Sequence, residues 1–186
     1  MVSWQAFSDE APELARRVRA RFEANTHHVL GTLRTDGTPR LSGTEVIFWR
    51  DDVVAGSMPR ARKALDLQRD PRCAVHANPS DPEMRGGDAK FDAEAVEVVG
   101  ADRLEFFTEW SRRYAAEHGE GGEGGEGGEG DDVAVAGNGD RWEDDGSHLF
   151  RFDLRQVVLT RTDAEAGTLT VELWQPGEGV RRMTRT

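Results

Sequence analysis

The segment from residue 28 to residue 57 constrains the fold most, because three short strand patterns follow one another there with tight turns between them. Residues 28 to 33 alternate as a half-buried strand does. Asp36-Gly37 forms a strong turn signal, and the returning strand is predicted over 39–49. After a turn at Asp51-Asp52, a third strand is predicted over 53–57. Short consecutive strands of this kind favour an antiparallel sheet or barrel.

The rest of the chain adds helices and further strands to this start. Helices are predicted over 8–22, from Pro59 to Asp70 and over 103–118, and strands over 72–77, 89–99, 148–154, 156–162 and 168–174. We therefore predict one domain, residues 1–186, of the α+β class and mainly β. It should contain about six to eight antiparallel strands with flanking helices.

An acidic, glycine-rich tract interrupts this pattern late in the chain. Glu120 to Asp132 repeats the triplet EGG and has no apolar side chain to bury. We predict that residues 119–146 form an inserted, disordered loop. The chain as a whole has 24 Lys and Arg against 35 Asp and Glu, a formal charge of −11. Such a charge repels phosphate backbones, so no nucleic-acid partner is expected.

Cysteine content and hydropathy indicate the cellular compartment of the protein. Cys73 is the single cysteine, so no disulfide within the chain is possible, which fits a reducing compartment. The first residues do not have the basic and apolar regions of a signal peptide. No apolar stretch reaches the length of about 20 residues that spans a bilayer. We expect a cytoplasmic, soluble protein without a membrane partner.

The most informative place for function is the junction between the strand ending at Gly56-Ser57 and the helix near Pro59. A helix start favours anions through its free N–H groups and its dipole. The cations in this stretch are Arg60, Arg62 and Lys63. Gly56 would let a ligand approach the backbone, and Ser57 can cap the helix or bond a phosphate. The alternative is that these cations form a solvated helix face.

No other group of residues predicts a catalytic or metal site as clearly. The five histidines, among them the adjacent His27 and His28, do not have zinc-like spacing with cysteine or carboxylate. His76 flanks a strand end, from which it can approach a bound ring or haem. We therefore name no catalytic residue and no metal ligand.

The run from Thr32 to Pro79, with its DG-x-P turn, basic helix start and DL-x-x-DPR segment, resembles the opening of pyridoxamine 5′-phosphate oxidase-like proteins. Residues 87–98, 148–161 and 171–182 are similar to actinobacterial-type members. The resemblance implies a dimeric split β-barrel that binds FMN. One branch of the family binds the deazaflavin F-420 instead, and some members bind haem.

The resemblance also implies which residues contact the cofactor. Carried over by position, the cofactor-binding residues are Arg40, Leu41, Ser42, Thr44, Gly56, Ser57, Met58, Arg60, Arg62, Lys63 and Trp174. Arg62 and Lys63 are expected to hold the phosphate, and Trp174 corresponds to a residue that reaches the flavin from the partner chain. The spacing around Trp174 departs from that of the true oxidases.

Two functions follow from the resemblance. The first is an oxidoreductase in which FMN or F-420 passes a hydride or an electron pair to or from a small organic substrate, with the protein positioning the cofactor. The second is a non-catalytic protein that binds a flavin, F-420 or a tetrapyrrole. A third possibility is a dimeric interaction protein that has lost the site. In each case the partner subunit is a second copy of the chain.

Overall fold

A computed structural model describes residues 1–81, 84, 86–118 and 146–186. The described residues form four helices, which are α1 (Trp4–Glu10), α2 (Pro12–Glu23), α3 (Arg62–Arg69) and α4 (Gly100–His118). They also form nine strands, which are β1 (His27–Leu33), β2 (Pro39–Glu45), β3 (Ile47–Trp49), β4 (Asp52–Ser57), β5 (Arg72–His76), β6 (Asp88–Glu97), β7 (His148–Asp163), β8 (Thr168–Gln175) and β9 (Gly179–Arg185). The predicted insert at 119–146 lies outside the described residues except for its last one.

One antiparallel sheet contains all of these strands. Its main path runs β2-β1-β5-β6-β7-β4-β3, and β8 and β9 extend from β7. β2 and β3 lie at the two ends of this path, yet only Val46 separates them in the chain. The path must therefore curl back on itself, which makes it a barrel rather than an open sheet. The predicted split barrel of antiparallel strands is confirmed.

β7 holds the two parts of the sheet together. Its first residues pair with β4 and its last ones with β8, while β6 runs beside most of its length. The sequence pattern predicts two strands here, but the structure has one continuous strand of 16 residues. The register with β6 shifts between Asp92 and Ala93, so Arg155 is an extra residue in β7. A bulge of this kind breaks the alternation of side chains and bends the strand.

The interior of the barrel and the N-terminal helices form the main core. α1 and α2 contribute Phe7, Val18 and Phe22, which pack with Phe91 and Phe152 from the strands. Full burial of such side chains contributes about 1.5–3 kcal/mol each. The single helix predicted over 8–22 is wrong in its bounds. Pro12 starts a second helix, since proline lacks the N–H that would continue α1 and suits a first helical turn.

A second apolar cluster lies on the opposite face of β4. Phe106 and Phe107 of α4 pack there against Val54 and Leu149. The indole Nε1 of Trp49 donates to Glu109 on α4 at 2.8 Å. α4 therefore covers the outer face of β3, β4 and the start of β7. No helix in the described part of the chain is long and apolar enough to cross a bilayer.

Two further predictions of element bounds are wrong. α3 begins at Arg62 rather than at Pro59, because residues 58–61 form a turn in which the Ala61 N–H donates to the Met58 carbonyl at 3.2 Å. The strand predicted over 39–49 is two strands that pair with different neighbours. β9 has no counterpart among the predicted strands, and six of its seven residues are exposed, so it has no buried alternation to detect.

Candidate cofactor site

The turn between β4 and α3 has a strained backbone. Arg60 has φ 61°, the left-handed region that glycine normally occupies. For a residue with a side chain this conformation costs about 1–2 kcal/mol. The preceding Pro59 suits the first central position of a turn whose second central position needs positive φ. Strain kept in one arginine beside a helix start is typical of a functional position.

The start of α3 has no side-chain cap. Its N-cap residue is Ala61, whose side chain cannot accept a hydrogen bond from the first turn. The side chains of Arg60 and Arg62 are exposed beside it. Uncapped N–H groups, the positive end of the helix dipole and two guanidinium groups together favour an anion such as a phosphate.

The Ser57 side chain ends β4 directly before this turn. The residue is only 5% exposed, and its Oγ has no hydrogen-bond partner within the described structure. A buried hydroxyl without a partner costs about 1–3 kcal/mol. Ser57 thus offers an unused donor and acceptor at the end of β4, five positions before the first residue of α3.

Lys63 faces inward from α3 rather than toward solvent. The residue is 4% exposed, and its Nζ donates to the Gly43 carbonyl on β2 at 2.7 Å. This bond ties the first turn of α3 to β2 and keeps a positive charge below the helix start. Glu45 lies nearby on β2. Burial raises the pKa of its carboxyl, although His27 and Lys63 act in the opposite direction.

Arg40 is held by an acid on α3. Its Nε donates to Asp66 Oδ2 at 2.6 Å, and the Thr32 hydroxyl donates to the same oxygen at 3.0 Å. Arg69 binds the other oxygen of Asp66 at 3.2 Å. Burial acts to raise the pKa of Asp66, but these hydrogen bonds outweigh it and lower the pKa. Arg40 therefore links β2 to α3, and its Nε is already bonded to the Asp66 carboxylate.

The other predicted residues on β2 and β4 do not converge on one point. Leu41 is 75% exposed on the outer face of the sheet. Ser42 and Thr44 point to the opposite face, and Thr44 is buried, with its hydroxyl 3.4 Å from the Glu45 carbonyl. Gly56 faces α4, since a Cβ there would lie 3.8 Å from the Phe107 ring. Its predicted contact with a ligand does not match this position.

Trp174 lies in the core of its own chain. It is fully buried, its Nε1 donates to Glu10 at 3.0 Å, and its ring centroid is 4.6 Å from that of Phe7. A ring packed in this way cannot also reach a cofactor across a subunit boundary. We therefore leave Trp174 out of the candidate site. Met58, half-buried in the turn, contributes its carbonyl to the turn hydrogen bond.

A histidine and a glutamate that the sequence pattern did not reveal lie beside the site. His148 pairs across the sheet with Ser57, so the two side chains share a face. Its Nδ1 is 2.6 Å from Glu97 Oε1, and Gln68 of α3 donates to the other Glu97 oxygen at 2.9 Å. Burial acts to raise the pKa of Glu97, but its contacts with His148 and Gln68 lower it overall. These residues are 29 and 51 positions from Glu97, which no local pattern reveals.

The described residues contain no group of three metal-binding side chains. The candidate site consists of the start of α3 together with Ser57, Arg60, Arg62 and Lys63. Its chemistry is that of an anion site, with one neutral hydroxyl, three cations and a helix start that has no side-chain cap.

Comparison with known proteins identifies the fold. No family model matches the chain, and no curated protein matches it. Among solved structures, PhzG from Burkholderia lata superposes with a TM-score of 0.62 at 10% identity, over 97% of this chain and 95% of that one. A pyridoxamine 5′-phosphate oxidase-related, FMN-binding protein from Nostoc punctiforme gives 0.60 at 13% identity, over 94% of both chains.

A third structure extends the comparison to a different ligand. The haem storage protein HutZ from Vibrio cholerae superposes with a TM-score of 0.51 at 15% identity, over 89% of this chain and 96% of that one. All three identities are low, so the likeness concerns the fold. The chain has the split-barrel architecture of pyridoxamine 5′-phosphate oxidase-like proteins.

Proposed function

We propose that this protein binds a flavin-type cofactor, FMN or the deazaflavin F-420, by placing its phosphate at the start of α3. The observation that carries the proposal is the Ser57 hydroxyl, which is buried and unpartnered beside a helix start that has no side-chain cap. A phosphate oxygen there would accept from the hydroxyl and from the first backbone N–H groups of α3.

The three cations have different roles in binding the phosphate. Arg62 is exposed at the first position of α3, where its planar guanidinium can form two parallel hydrogen bonds to phosphate. Arg60 reaches the same place from the strained turn. Lys63 remains bonded to Gly43 and contributes its charge from below the helix. Negative charge on the ligand would be attracted by these three cations.

We propose that the ring system of the cofactor lies on the outer face of the sheet, over β1, β2 and β5. Gly43 pairs with Val29 and Leu41 pairs with Gly31, which in turn pairs with Ala74. Glycine and alanine leave a shallow surface on which a flat ring can lie close to the backbone. The exposed Leu41 side chain borders this surface. We propose that a second copy of the chain covers it and encloses the ring.

The reaction we propose is oxidation or reduction of a small organic substrate. The cofactor supplies the hydride or electron-pair chemistry when bound. The residues of this chain bind the phosphate, orient the ring and, at a subunit boundary, exclude water. No acid or base is assigned, because hydride transfer does not require one from the protein.

Spectroscopic titration of the full chain with FMN, F-420 and haemin tests the proposal. We expect FMN or F-420 to bind with a shifted absorption spectrum and quenched fluorescence. Arg62→Gln should weaken that binding by about tenfold or more, because a charge-assisted bidentate contact is lost. The control is Arg72→Gln, since Arg72 is exposed, lies beyond α3 and is paired with Asp70 at 2.6 Å. Equal cofactor affinity in both variants would show that the phosphate does not bind at the start of α3.

Haem binding without catalysis is the alternative that the likeness to HutZ supports. His76 is poorly placed to hold a haem, because its Nδ1 is 2.7 Å from the Ala77 carbonyl and its Nε2 is 2.9 Å from Asp88. Saturable binding of haemin, with no response to FMN or F-420, would favour this alternative over the flavin proposal.

A further inference from the structure

Two polar atoms without a hydrogen-bond partner among the described residues lie on one face of two neighbouring strands. They are the Oγ of Ser57 on β4 and the Nε2 of His148 on β7, which are direct partners across the sheet. The next pair on this face, Ala55 and Phe150, belongs to the main core. Side chains directly opposite each other in such a pair have Cβ atoms about 4.5–5.5 Å apart. The hydroxyl and the imidazole are therefore neighbours at one end of the barrel interior.

This pair lies close to the turn that precedes α3. A Cβ at Gly146, two residues before His148, would lie 3.5 Å from the Cβ of Pro59 in that turn. Ala64 and Leu67 of α3 pack in the same core as the strand residues below Ser57. His148 is thus a neighbour of the candidate phosphate site, although it is distant from that site in the sequence.

Glu97 and Gln68 hold the imidazole of His148 in one orientation. His148 Nδ1 is 2.6 Å from Glu97 Oε1, and Gln68 donates to Glu97 Oε2 at 2.9 Å. The ring is also stacked on that of Phe150, with centroids 6.0 Å apart. Burial raises the pKa of Glu97, but the hydrogen bonds from His148 and Gln68 outweigh it and lower that pKa, so the carboxylate is ionised near neutral pH. An ionised carboxylate only accepts, so Nδ1 carries a hydrogen.

The protonation of His148 changes the charge beside the candidate site. Since Nδ1 keeps its hydrogen, a proton is gained or lost at Nε2. With this proton, Nε2 is a donor and the pair of His148 and Glu97 has no net charge. Without it, Nε2 presents a lone pair and the pair carries one negative charge. Among the described residues packed against the pair, Arg103 of α4 acts on Glu97 by its positive charge, whereas α3 and β4 contribute the neutral Gln68 and Ser57.

We propose that His148 is a further residue of the phosphate site and makes the affinity for the cofactor depend on pH. Its protonated Nε2 donates to the phosphate together with the Ser57 hydroxyl. Loss of the proton replaces this donor with a lone pair beside an anion, so the affinity should rise as pH falls through the range in which histidine titrates. This inference rests on the proposed function, because it requires a phosphate near the start of α3.

Fluorescence titration of the full chain with FMN, from about pH 5 to about pH 8, tests this role. The variant His148→Asn keeps an amide donor for Glu97, because Asn Nδ2 takes the place of imidazole Nδ1, and it removes Nε2. We expect the variant to bind FMN about tenfold more weakly than the parent at about pH 5. At about pH 8 the two affinities should converge, since both proteins then carry only the Glu97 charge. The second ionisation of the FMN phosphate, at about pH 6, affects both proteins alike.

Two controls show whether the effect belongs to this histidine and to the phosphate. His27 is also a histidine beside a glutamate, but its side chain is 64% exposed and its Nδ1 is 4.0 Å from Glu45. His27→Asn should follow the parent at every pH. Riboflavin has the ring without the phosphate, so its affinity should not differ between the parent and His148→Asn.

A second measurement needs no variant and serves if His148→Asn alters folding. In ¹⁵N NMR spectra of the parent, the imidazole of His148 should titrate about one pH unit higher when FMN is bound, because a tenfold coupling between proton and ligand is reciprocal. An unchanged titration of His148 in the FMN complex would overturn its proposed role.

The outcomes distinguish this role from the proposed function. If Arg62→Gln weakens FMN binding but the parent and His148→Asn have the same pH profile, only the role of His148 is wrong. The same conclusion follows if riboflavin and FMN show the same difference between these two proteins. If FMN binds at no pH, the phosphate site is wrong and the role of His148 is wrong with it.

Discussion

Arg60 joins backbone strain and candidate function in one residue. Its left-handed conformation is unfavourable for an arginine, and its side chain is exposed. A phosphate ligand gives a reason for keeping the arginine there. Arg50 also has positive φ, at 53°, but it is bonded to Asp102 and Glu105 of α4.

The variant Arg60→Gly distinguishes the effect of backbone strain on stability from the contribution of the Arg60 side chain to cofactor binding. Relief of the left-handed conformation, about 1–2 kcal/mol, is opposed by the greater freedom of glycine in the unfolded chain, about 0.5–1 kcal/mol. We expect the free energy of unfolding in urea to stay the same or rise, while FMN affinity falls. In the matched variant Arg50→Gly, FMN affinity should not change. A parallel loss of affinity in both variants would show that Arg60 has no specific role.

At the scale of single residues, the sequence predicted types of side chain better than their partners. Ser57, Arg60 and Arg62 lie at the junction where the pattern of strand, turn and helix placed them. Arg40 and Trp174 are engaged by Asp66 and Glu10, which are 26 and 164 positions away. Such long-range pairs depend on tertiary packing, and no spacing rule along the chain reveals them.

At the scale of elements, one buried carboxylate joins α2 to the C-terminal strands. Glu172 on β8 is 1% exposed and accepts from Arg17 of α2, Arg161 of β7 and Arg182 of β9. The hydrogen bond from Arg17 is the main cause that lowers the pKa of Glu172 to about 2, against the effect of burial. The network fixes the β8–β9 hairpin, which extends beyond the barrel, to the N-terminal helices.

Glu172→Gln should destabilise the fold. We expect a loss of about 1–3 kcal/mol near neutral pH, reduced from the value for a fully buried pair because the arginines are partly exposed. Glu172 has a folded-state pKa below its unfolded value of 4.5, so its ionised form stabilises the fold above that pH. The advantage of the parent protein should shrink as pH falls from about 4.5 to about 2. A difference in unfolding free energy that is constant across this range would contradict this account.

The elements themselves were predictable to the extent that their side chains alternate. β1, β4 and β5 have clear buried faces and appear near their predicted places. β9 is exposed almost throughout, and Pro12 divides a helix whose apolar stripe continues across it. Propensity and periodicity describe local preference, whereas these features depend on what the rest of the fold covers.

At the scale of the whole molecule, one row of side chains runs across the outer face of the sheet. Adjacent positions along the strand pairs bring Val29, His76, Lys90, Val158 and Leu173 into one row on the outside of the sheet. Leu41 borders this face on β2. Within the described residues α4 covers the outer face of β3, β4 and the start of β7, and we propose that a second copy of the chain covers this row.

Leu41→Asp tests this face. If the chain is a homodimer through it, sedimentation equilibrium should give the mass of two chains for the parent and a shift toward one chain for the variant, because a desolvated carboxylate opposes association. The control is Val99→Asp, since Val99 is 71% exposed but lies between β6 and α4. A parent that sediments as a monomer at all concentrations, or a dimer unaffected by Leu41→Asp, would contradict the proposed interface.

The position of a bound cofactor phosphate tests the central claim most directly. A crystal structure of the full chain grown with FMN would locate it relative to α3. We predict the phosphate at the first turn of α3, within hydrogen-bond distance of the Ser57 hydroxyl and the Arg62 guanidinium. A phosphate bound elsewhere, with Ser57 still unpartnered, would show that this helix start is not the cofactor site.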